Sequence, residues 1–123
     1  KSLGNGVPFD YGGGGSGSAL NLTGPSTASG GNNVTYSFTG GTGNKSFGIY
    51  WSLSNTGMTY GGHQFDLGAP VNPVGTGQTN SIGSGSATKR IPASVSNVTV
   101  YIEAAVNTGS GFEDSNMITL DIN

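Results

Sequence analysis

The sequence has no cysteine and very little charge. Without cysteine there is no disulfide, no thiolate metal ligand and no cysteine nucleophile, so the core alone must hold the fold. Charged residues make up 8% of the chain, whereas an average globular protein has about a quarter. A cationic stripe that follows a phosphate backbone needs more basic residues than the four present, which are Lys1, Lys45, Lys89 and Arg90. We therefore expect no nucleic-acid partner.

Long apolar runs and helical periodicity are also missing. No apolar run approaches the roughly 20 residues that a membrane-spanning helix needs, and no segment is both amphipathic and basic, so we expect no membrane insertion. The 24 glycines interrupt every window in which a 3.6-residue period would indicate a helix. The chain begins at Lys1 without an initiator Met, which predicts a processed mature form or a fragment. Together with the polar composition, this favours an extracellular or cell-surface location after signal-peptide removal.

The chain does contain short runs in which apolar and polar residues alternate, and such runs predict half-buried β-strands. The predicted inward positions are Leu20 and Leu22; Val34, Tyr36 and Phe38; Phe47, Ile49, Trp51 and Leu53; Val98, Val100, Ile102, Ala104 and Val106; and Ile118, Leu120 and Ile122. A further strand is predicted at 86–91, whereas residues 55–85 are less regular. Turns rich in glycine separate these runs, which is typical of a β-sandwich or barrel.

Residues 1–17 differ in composition from residues 18–123, which hold the predicted β domain. The leader contains seven glycines and is typical of a flexible linker. It also contains Val7, Phe9 and Tyr11, which alternate around Pro8 and Asp10. Two interpretations stay open: this segment packs on its own domain, or it docks on a neighbouring subunit as an added strand, with Pro8 removing one donor.

Several segments carry a family likeness. The first half has Leu20–Pro25 and Val34–Tyr36, and the second half has Phe65–Gly68, Ile91–Pro92 and Val98–Ala105. With these segments, Leu20–Asn123 resembles bacterial extracellular immunoglobulin-like modules of the fibronectin III and PKD type. The resemblance implies an all-β, antiparallel, immunoglobulin-like β-sandwich of about seven strands in an exported protein. Such modules serve as spacers, adhesins, fibre subunits and glycan binders, so the resemblance leaves the function open.

The residues that could support catalysis or metal binding are few. His63 is the only histidine, and no nucleophile elbow accompanies it, so we expect no catalytic residues and no enzyme. Glu103 is predicted to point outward, and pairing of the last two long strands is expected to bring Glu113, Asp114 and Asp121 near it. These carboxylates are candidates for a Ca²⁺ site, because hard cations bind several oxygens, or they are ordinary solubilising charges. No D-x-D-x-D loop supports the calcium interpretation, and no other cofactor is expected.

Exposed aromatic residues and sequons are the remaining candidates for recognition. Tyr50, Tyr60 and Tyr101 fall on outward or loop positions, where they would form an interface or stack on sugars, and Tyr50 and Tyr101 are candidate cross-strand neighbours. Trp51 has the inward parity and is assigned to the core. The candidate glycosylation sites, which are no more numerous than chance allows, are Asn21, Asn33, Asn44 and Asn97.

These features favour an extracellular structural or adhesive protein, and within that class a self-assembling surface fibre subunit. Its N-terminal segment would pack on a neighbour, so the expected partners are other copies of the chain or other surface proteins. The alternatives are a carbohydrate-binding module, with glycans as partners, and a spacer domain of a larger secreted protein.

Overall fold

A computed structural model describes residues 19–123, in which all the regular structure is β-strand. The strands are β1 (Asn21–Thr23), β2 (Thr27–Ala28), β3 (Asn33–Thr39), β4 (Ser46–Ser52), β5 (Met58–Tyr60), β6 (His63–Phe65), β7 (Asn72–Gln78), β8 (Gly85–Arg90), β9 (Val98–Asn107), β10 (Phe112–Asp114) and β11 (Ile118–Ile122). This part of the chain contains no helix that could cross a membrane.

The strands form two packed sheets and one separate hairpin. The smaller sheet has the order β1-β3-β8, and the larger has the order β2-β11-β9-β4-β7, with β10 pairing to β9 beside β11. The named pairs in both sheets are antiparallel apart from β2 and β11, which run parallel. Leaving aside the short β2 and β10, seven strands build the two layers in an immunoglobulin-like order. The predicted all-β sandwich of about seven strands is therefore confirmed.

The core lies between the two layers, at the alternating positions that the sequence predicts. In β3, Val34, Tyr36 and Phe38 are buried, and the intervening residues face outward. Phe38 packs edge-on against Phe47 of the facing sheet, with ring centroids 5.1 Å apart. The Tyr36 hydroxyl donates to the Pro25 carbonyl at 2.7 Å. Burial raises the pKa of Tyr36 to about 12, because the phenolate would lose its hydration.

The end of β4 corrects one part of the predicted core. Leu53 was expected to point inward, but its side chain is 64% exposed because the strand ends one residue earlier, at Ser52. Trp51 is half-buried and packs against the edge of the core, as its parity predicts. The inward pattern of β4 therefore holds for Phe47, Ile49 and Trp51 and stops where the pairing with β9 stops.

The turn between β7 and β8 requires glycine at position 83. Gly83 has a φ of 83°, a region that L side chains rarely adopt. Its carbonyl accepts a hydrogen bond from the Gly41 amide at 3.0 Å, so the β7–β8 and β3–β4 turns touch through their backbones. A Cβ on Gly83 would overlap the carbonyl of Gly41, and that atom cannot move as a flexible side chain would.

We expect Gly83→Ala to lower the free energy of unfolding by about 2 kcal/mol or more, since it adds backbone overlap to the roughly 1 kcal/mol of strain from positive φ. Gly109→Ala is the matched control, because Gly109 has a φ of 94° and a Cβ added there would meet nothing within 4 Å. Gly109→Ala should lower the free energy of unfolding only by the roughly 1 kcal/mol of strain from positive φ. Urea unfolding of both variants measures the difference, and equal losses would contradict a close approach at Gly83.

Candidate functional site

A cleft of about 660 Å³ opens on the outer face of the larger sheet. Strands β4, β7 and β9 supply the sheet side of the cleft, and β5, β6 and β10 supply the side that covers it. The cover exists because the β5–β6 hairpin turns tightly at Gly61 and Gly62, which have φ values of 58° and 79°. The outer face of this sheet is therefore partly shielded from solvent.

An aromatic cluster holds the hairpin onto the sheet. Phe112 of β10 contacts Tyr60 and Phe65, with ring centroids 5.8 Å and 5.7 Å away, and His63 packs on Phe65 at 4.6 Å. The turn lies directly on Phe112, since a Cβ at Gly61 would come within 2.7 Å of its ring. Tyr60, Phe65 and Phe112 all line the cleft.

Glu103 of β9 lies within this cleft, opposite Tyr50 of β4. It has the outward parity that the sequence predicts, but it is only 2% exposed, because the hairpin and the loop after it cover this face. Its Oε1 accepts hydrogen bonds from the backbone N–H groups of Asp66 and Leu67 at 3.0 Å and 3.2 Å. Its Oε2 is buried and accepts no hydrogen bond from any residue of 19–123. Oε1 therefore fixes the loop after β6, whereas Oε2 receives no hydrogen bond from the described residues.

The surroundings of Glu103 favour its protonated form. Burial raises the pKa of Glu103 to about 8. Asp114 adds to the rise as a hydrogen-bond acceptor for the protonated carboxyl and through its charge, Asp66 adds through its charge, and the hydrogen bond from Leu67 opposes the rise. Burial and the charge of Asp114 also raise the pKa of Asp66. His63 Nε2 lies 3.4 Å from Asp114 Oδ1. Glu103 is therefore the carboxyl group that lines the cleft, and Asp66, Asp114 and His63 lie behind this lining.

The predicted tyrosines are only partly brought together. Tyr50 and Tyr60 both line the cleft. Tyr101 shares the outward face of β9 but lies opposite Ser52, so it is a diagonal neighbour of Tyr50 rather than its direct partner. The direct partner of Tyr50 is Glu103. Two of the three tyrosines therefore line the cleft, and the buried acid Glu103 lies directly opposite Tyr50.

The candidate calcium ligands point to different places. Glu113 accepts hydrogen bonds from the backbone N–H and the hydroxyl of Thr42, at 2.8 Å and 2.9 Å. Asp121 accepts one from the Thr99 hydroxyl at 2.9 Å, near the opposite end of β9 from Asp114. The expected gathering of Glu113, Asp114 and Asp121 does not occur, because β10 and β11 pair with different stretches of β9. Within residues 19–123 no three histidine or carboxylate side chains converge as a metal-binding group.

The four sequons all lie at the surface. Their asparagines are exposed, at the start of a strand or in a turn, and they are Asn21, Asn33, Asn44 and Asn97. Asn44 and Asn97 have positive φ values, of 57° and 55°. These positions leave room for glycans, and attachment stays a prediction.

The predicted interface residues Val7, Phe9 and Tyr11 lie outside the described residues. The structure does show where the leader joins the sandwich. The Leu20 amide donates to the Asp114 carbonyl at 3.1 Å, and Leu20 forms a bridge with Ser115. The junction therefore lies beside β10, the strand that carries Phe112.

Sequence reasoning missed three features of the cleft, which are the roles of Phe65 and Phe112 and the burial of Glu103. A signal for the covered face was present in β9, where the outward positions after Tyr101 include Ala105. Ala105 is buried, and a small apolar residue at an outward position indicates that another element packs there.

Comparisons with known proteins give a distant structural similarity. No family model matches the sequence, and no curated protein matches it. Among solved structures, the PKD domain of an M14-like peptidase from a Thermoplasmatales archaeon is 15% identical, and the match covers 85% of this chain and 90% of that chain with a TM-score of 0.38. The strand order by itself defines the chain as an immunoglobulin-like β-sandwich.

Proposed function

We propose that this chain is an extracellular structural subunit that assembles with copies of itself, by adding its N-terminal segment to the sheet edge of a neighbour. The free edge of β8 is the observation that supports this function. Within residues 19–123, β8 pairs with β3 alone, from Asn33 opposite Arg90 to Phe38 opposite Gly85. No described strand pairs with its other edge, although β7 of the facing sheet packs close to Ala87, and unpaired backbone groups at such an edge can bond an extended peptide.

The other sheet edges are less suitable for strand addition. Strand β7 contains Pro73, and its pairing with β4 shifts register between Ile49 and Tyr50. Strands β1 and β2 are only three and two residues long. Strand β8 has six residues and a continuous register with β3, so it offers the longest regular edge free of proline among the described residues.

Charge and length also match the leader to β8. The strand ends in Lys89 and Arg90, which are both exposed, and Asp10 is the one charged residue of segment 7–11. Five residues of added strand fit along the six of β8, and alternating Val7, Phe9 and Tyr11 would share one face. An edge strand tolerates Pro8, since the N–H it lacks can be one that faces solvent.

The composition of the chain favours self-association. Charged residues are only 8% of the chain, so little repulsion keeps copies apart.

A charge swap tests the proposed assembly. The double variant Lys89→Glu, Arg90→Glu places two acids beside Asp10. We expect it to raise the concentration at which the full chain assembles at least tenfold. Adding Asp10→Lys to that variant should restore assembly, since the pairing is regained with opposite signs. Light scattering coupled to size exclusion and electron microscopy of filaments are the measurements.

Two matched controls accompany the swap. Lys45→Glu reverses a charge in the β3–β4 turn and should leave assembly unchanged. Leu3→Asp changes the leader outside segment 7–11 and should also be silent, whereas Phe9→Asp should abolish assembly. A wild-type chain that stays monomeric at high concentration would overturn the proposal and favour a spacer domain or a leader that packs on its own sandwich.

A further inference from the structure

We infer that the cleft on the outer face of the larger sheet is a binding site for an organic cation, with Glu103 as the partner of a primary alkylammonium group. The site is separate from the β8 edge, because its lining comes from β4, β5, β6, β7, β9 and β10 together with the loop after β6. Three features of the described residues support it: an unpartnered carboxyl oxygen, aromatic walls and an excess of negative charge.

The unpartnered oxygen is Oε2 of Glu103, which accepts no hydrogen bond within residues 19–123. The side chain is 2% exposed, and a buried polar atom without a hydrogen bond is rare in folded proteins, because its desolvation is not compensated. Oε1 already has two donors, from Asp66 and Leu67, so the carboxyl is held in place whether or not Oε2 is occupied. When Glu103 is ionised, Oε2 needs a donor, and an ammonium group would supply it.

The walls of the cleft suit the rest of such a ligand. Tyr50, Tyr60, Phe65 and Phe112 line it, and aromatic faces attract ammonium groups and pack against alkyl chains. Tyr60 is 62% exposed, so it stands at the mouth and is available to a ligand that enters. The cleft volume of about 660 Å³ lies within the usual range for small-molecule sites.

The charge of the site favours a cation over a neutral or anionic ligand. The titratable groups around Glu103 are Tyr50 on β4, Tyr60 on β5, His63 on β6, Asp66 on the following loop and Asp114 on β10. Over the described part of the chain, no lysine or arginine lines the cleft. Asp66 and Asp114 do not line the cleft but lie close enough to act on the carboxyl of Glu103, so their charges would attract an ammonium group beside it.

Entry of a ligand requires a small opening of the hairpin, since Oε2 itself is not exposed. Strands β5 and β6 have three residues each and form their own two-stranded sheet, a unit of low intrinsic stability. The aromatic contacts with Phe112 hold this unit closed, and the same rings can pack on the ligand once it has entered.

Binding of the cation is coupled to the loss of one proton. The neutral Glu103 carboxyl and a protonated amine combine to give a carboxylate–ammonium pair, and the carboxyl proton goes to solvent. No covalent bond between heavy atoms changes. Since Glu103 must lose its proton for the pair to form, affinity should rise with pH by up to about tenfold per unit until the carboxyl is ionised in the free protein.

The test is an NMR titration of the full-length protein with n-pentylammonium at pH 6, 7 and 8, with 1-pentanol as the neutral ligand of the same length. We expect shifts of the Tyr50, Tyr60 and Phe112 resonances with the amine, tighter binding at each higher pH, and at least tenfold weaker binding of pentanol at pH 8. Glu103→Gln should weaken amine binding at least tenfold and remove its pH dependence.

Glu103→Gln keeps an oxygen that can accept the Asp66 and Leu67 hydrogen bonds, so the fold should be preserved. Should it not fold, Tyr60→Ala is the second variant: it should weaken binding severalfold and keep the pH dependence, whereas Tyr101→Ala, outside the cleft, should change neither. Equal binding of pentanol, pH-independent affinity, or binding of a neutral oligosaccharide in place of the amine would each overturn the inference. Repeating the titration on the Phe9→Asp variant separates the result from self-assembly.

Discussion

Replacing Glu103 by glutamine is expected to raise the free energy of unfolding at pH 9 by a few kcal/mol. The pKa of Glu103 rises from an ordinary 4.5 to about 8 in the folded protein, mainly because the side chain is buried. Each pKa unit corresponds to about 1.4 kcal/mol of difference between the two protonation states. Glutamine has nearly the same shape but no charge, so the variant avoids burying a carboxylate beside Asp66 and Asp114.

The pH window of this effect follows from proton binding. The unfolded chain loses the Glu103 proton near pH 4.5, whereas the folded chain keeps it until about pH 8. Between these values the folded state binds more protons, so the stability of the wild type falls as pH rises. The stabilisation of the folded state by proton binding at Glu103 is fully present below about pH 4.5 and fully lost above about pH 8. The glutamine variant should lack this fall.

Urea unfolding of both proteins at pH 5, 7 and 9 measures the prediction. The matched control is Asp121→Asn, which removes an exposed carboxylate of β11 outside the cleft and should preserve the pH dependence of the wild type. If the wild-type midpoints at pH 5 and pH 9 coincide, Glu103 is not protonated in the native state and the electrostatic description of the cleft is wrong.

The sandwich could be predicted because its long strands encode their faces locally. In β3 and β11 each second residue is apolar, and the structure buries Tyr36, Phe38 and Leu120 as the alternation predicts. The alternation can be recognised only in a strand of about five residues or more in which both the inward and the outward positions carry side chains. Strand β7 lacks the full signal, because Pro73, Gly75 and Gly77 interrupt the alternation, so the sequence does not predict a strand there.

The cleft was missed for a related reason. The alternation in β9 predicts the correct face for Glu103. Burial of that face depends on β5 and β6, and with three residues each these strands are too short to show a period. The contact between Phe112 and Phe65 joins two distant parts of the chain, and nothing local in the sequence specifies it. A residue's orientation is a local property of its strand, whereas its exposure depends on what packs above it.

Phe38→Ala is expected to produce the largest loss of stability, about 3 to 5 kcal/mol, because it leaves a cavity in the centre of the core. Phe38 is 1% exposed, lies on the central strand of the smaller sheet and packs edge-on against Phe47 of the larger sheet. Neither sheet can collapse into the space without moving the other. Thermal and urea unfolding should both show the loss, with all probes reporting a single transition.

The matched variant is Phe112→Ala, which removes a ring of the same size from the cleft instead of the core. Phe112 is half-buried and contacts Tyr60 and Phe65, so its loss should release the β5–β6 hairpin while the two sheets stay packed. We expect a smaller global loss, below about 2 kcal/mol, together with faster hydrogen exchange confined to residues 58–67. Equal global losses for Phe38→Ala and Phe112→Ala would mean that the cover of the cleft is part of the core. If Phe112→Ala opens the hairpin but leaves the two sheets packed, the sandwich folds independently of the hairpin that covers the cleft. The hairpin is then able to move when a ligand enters.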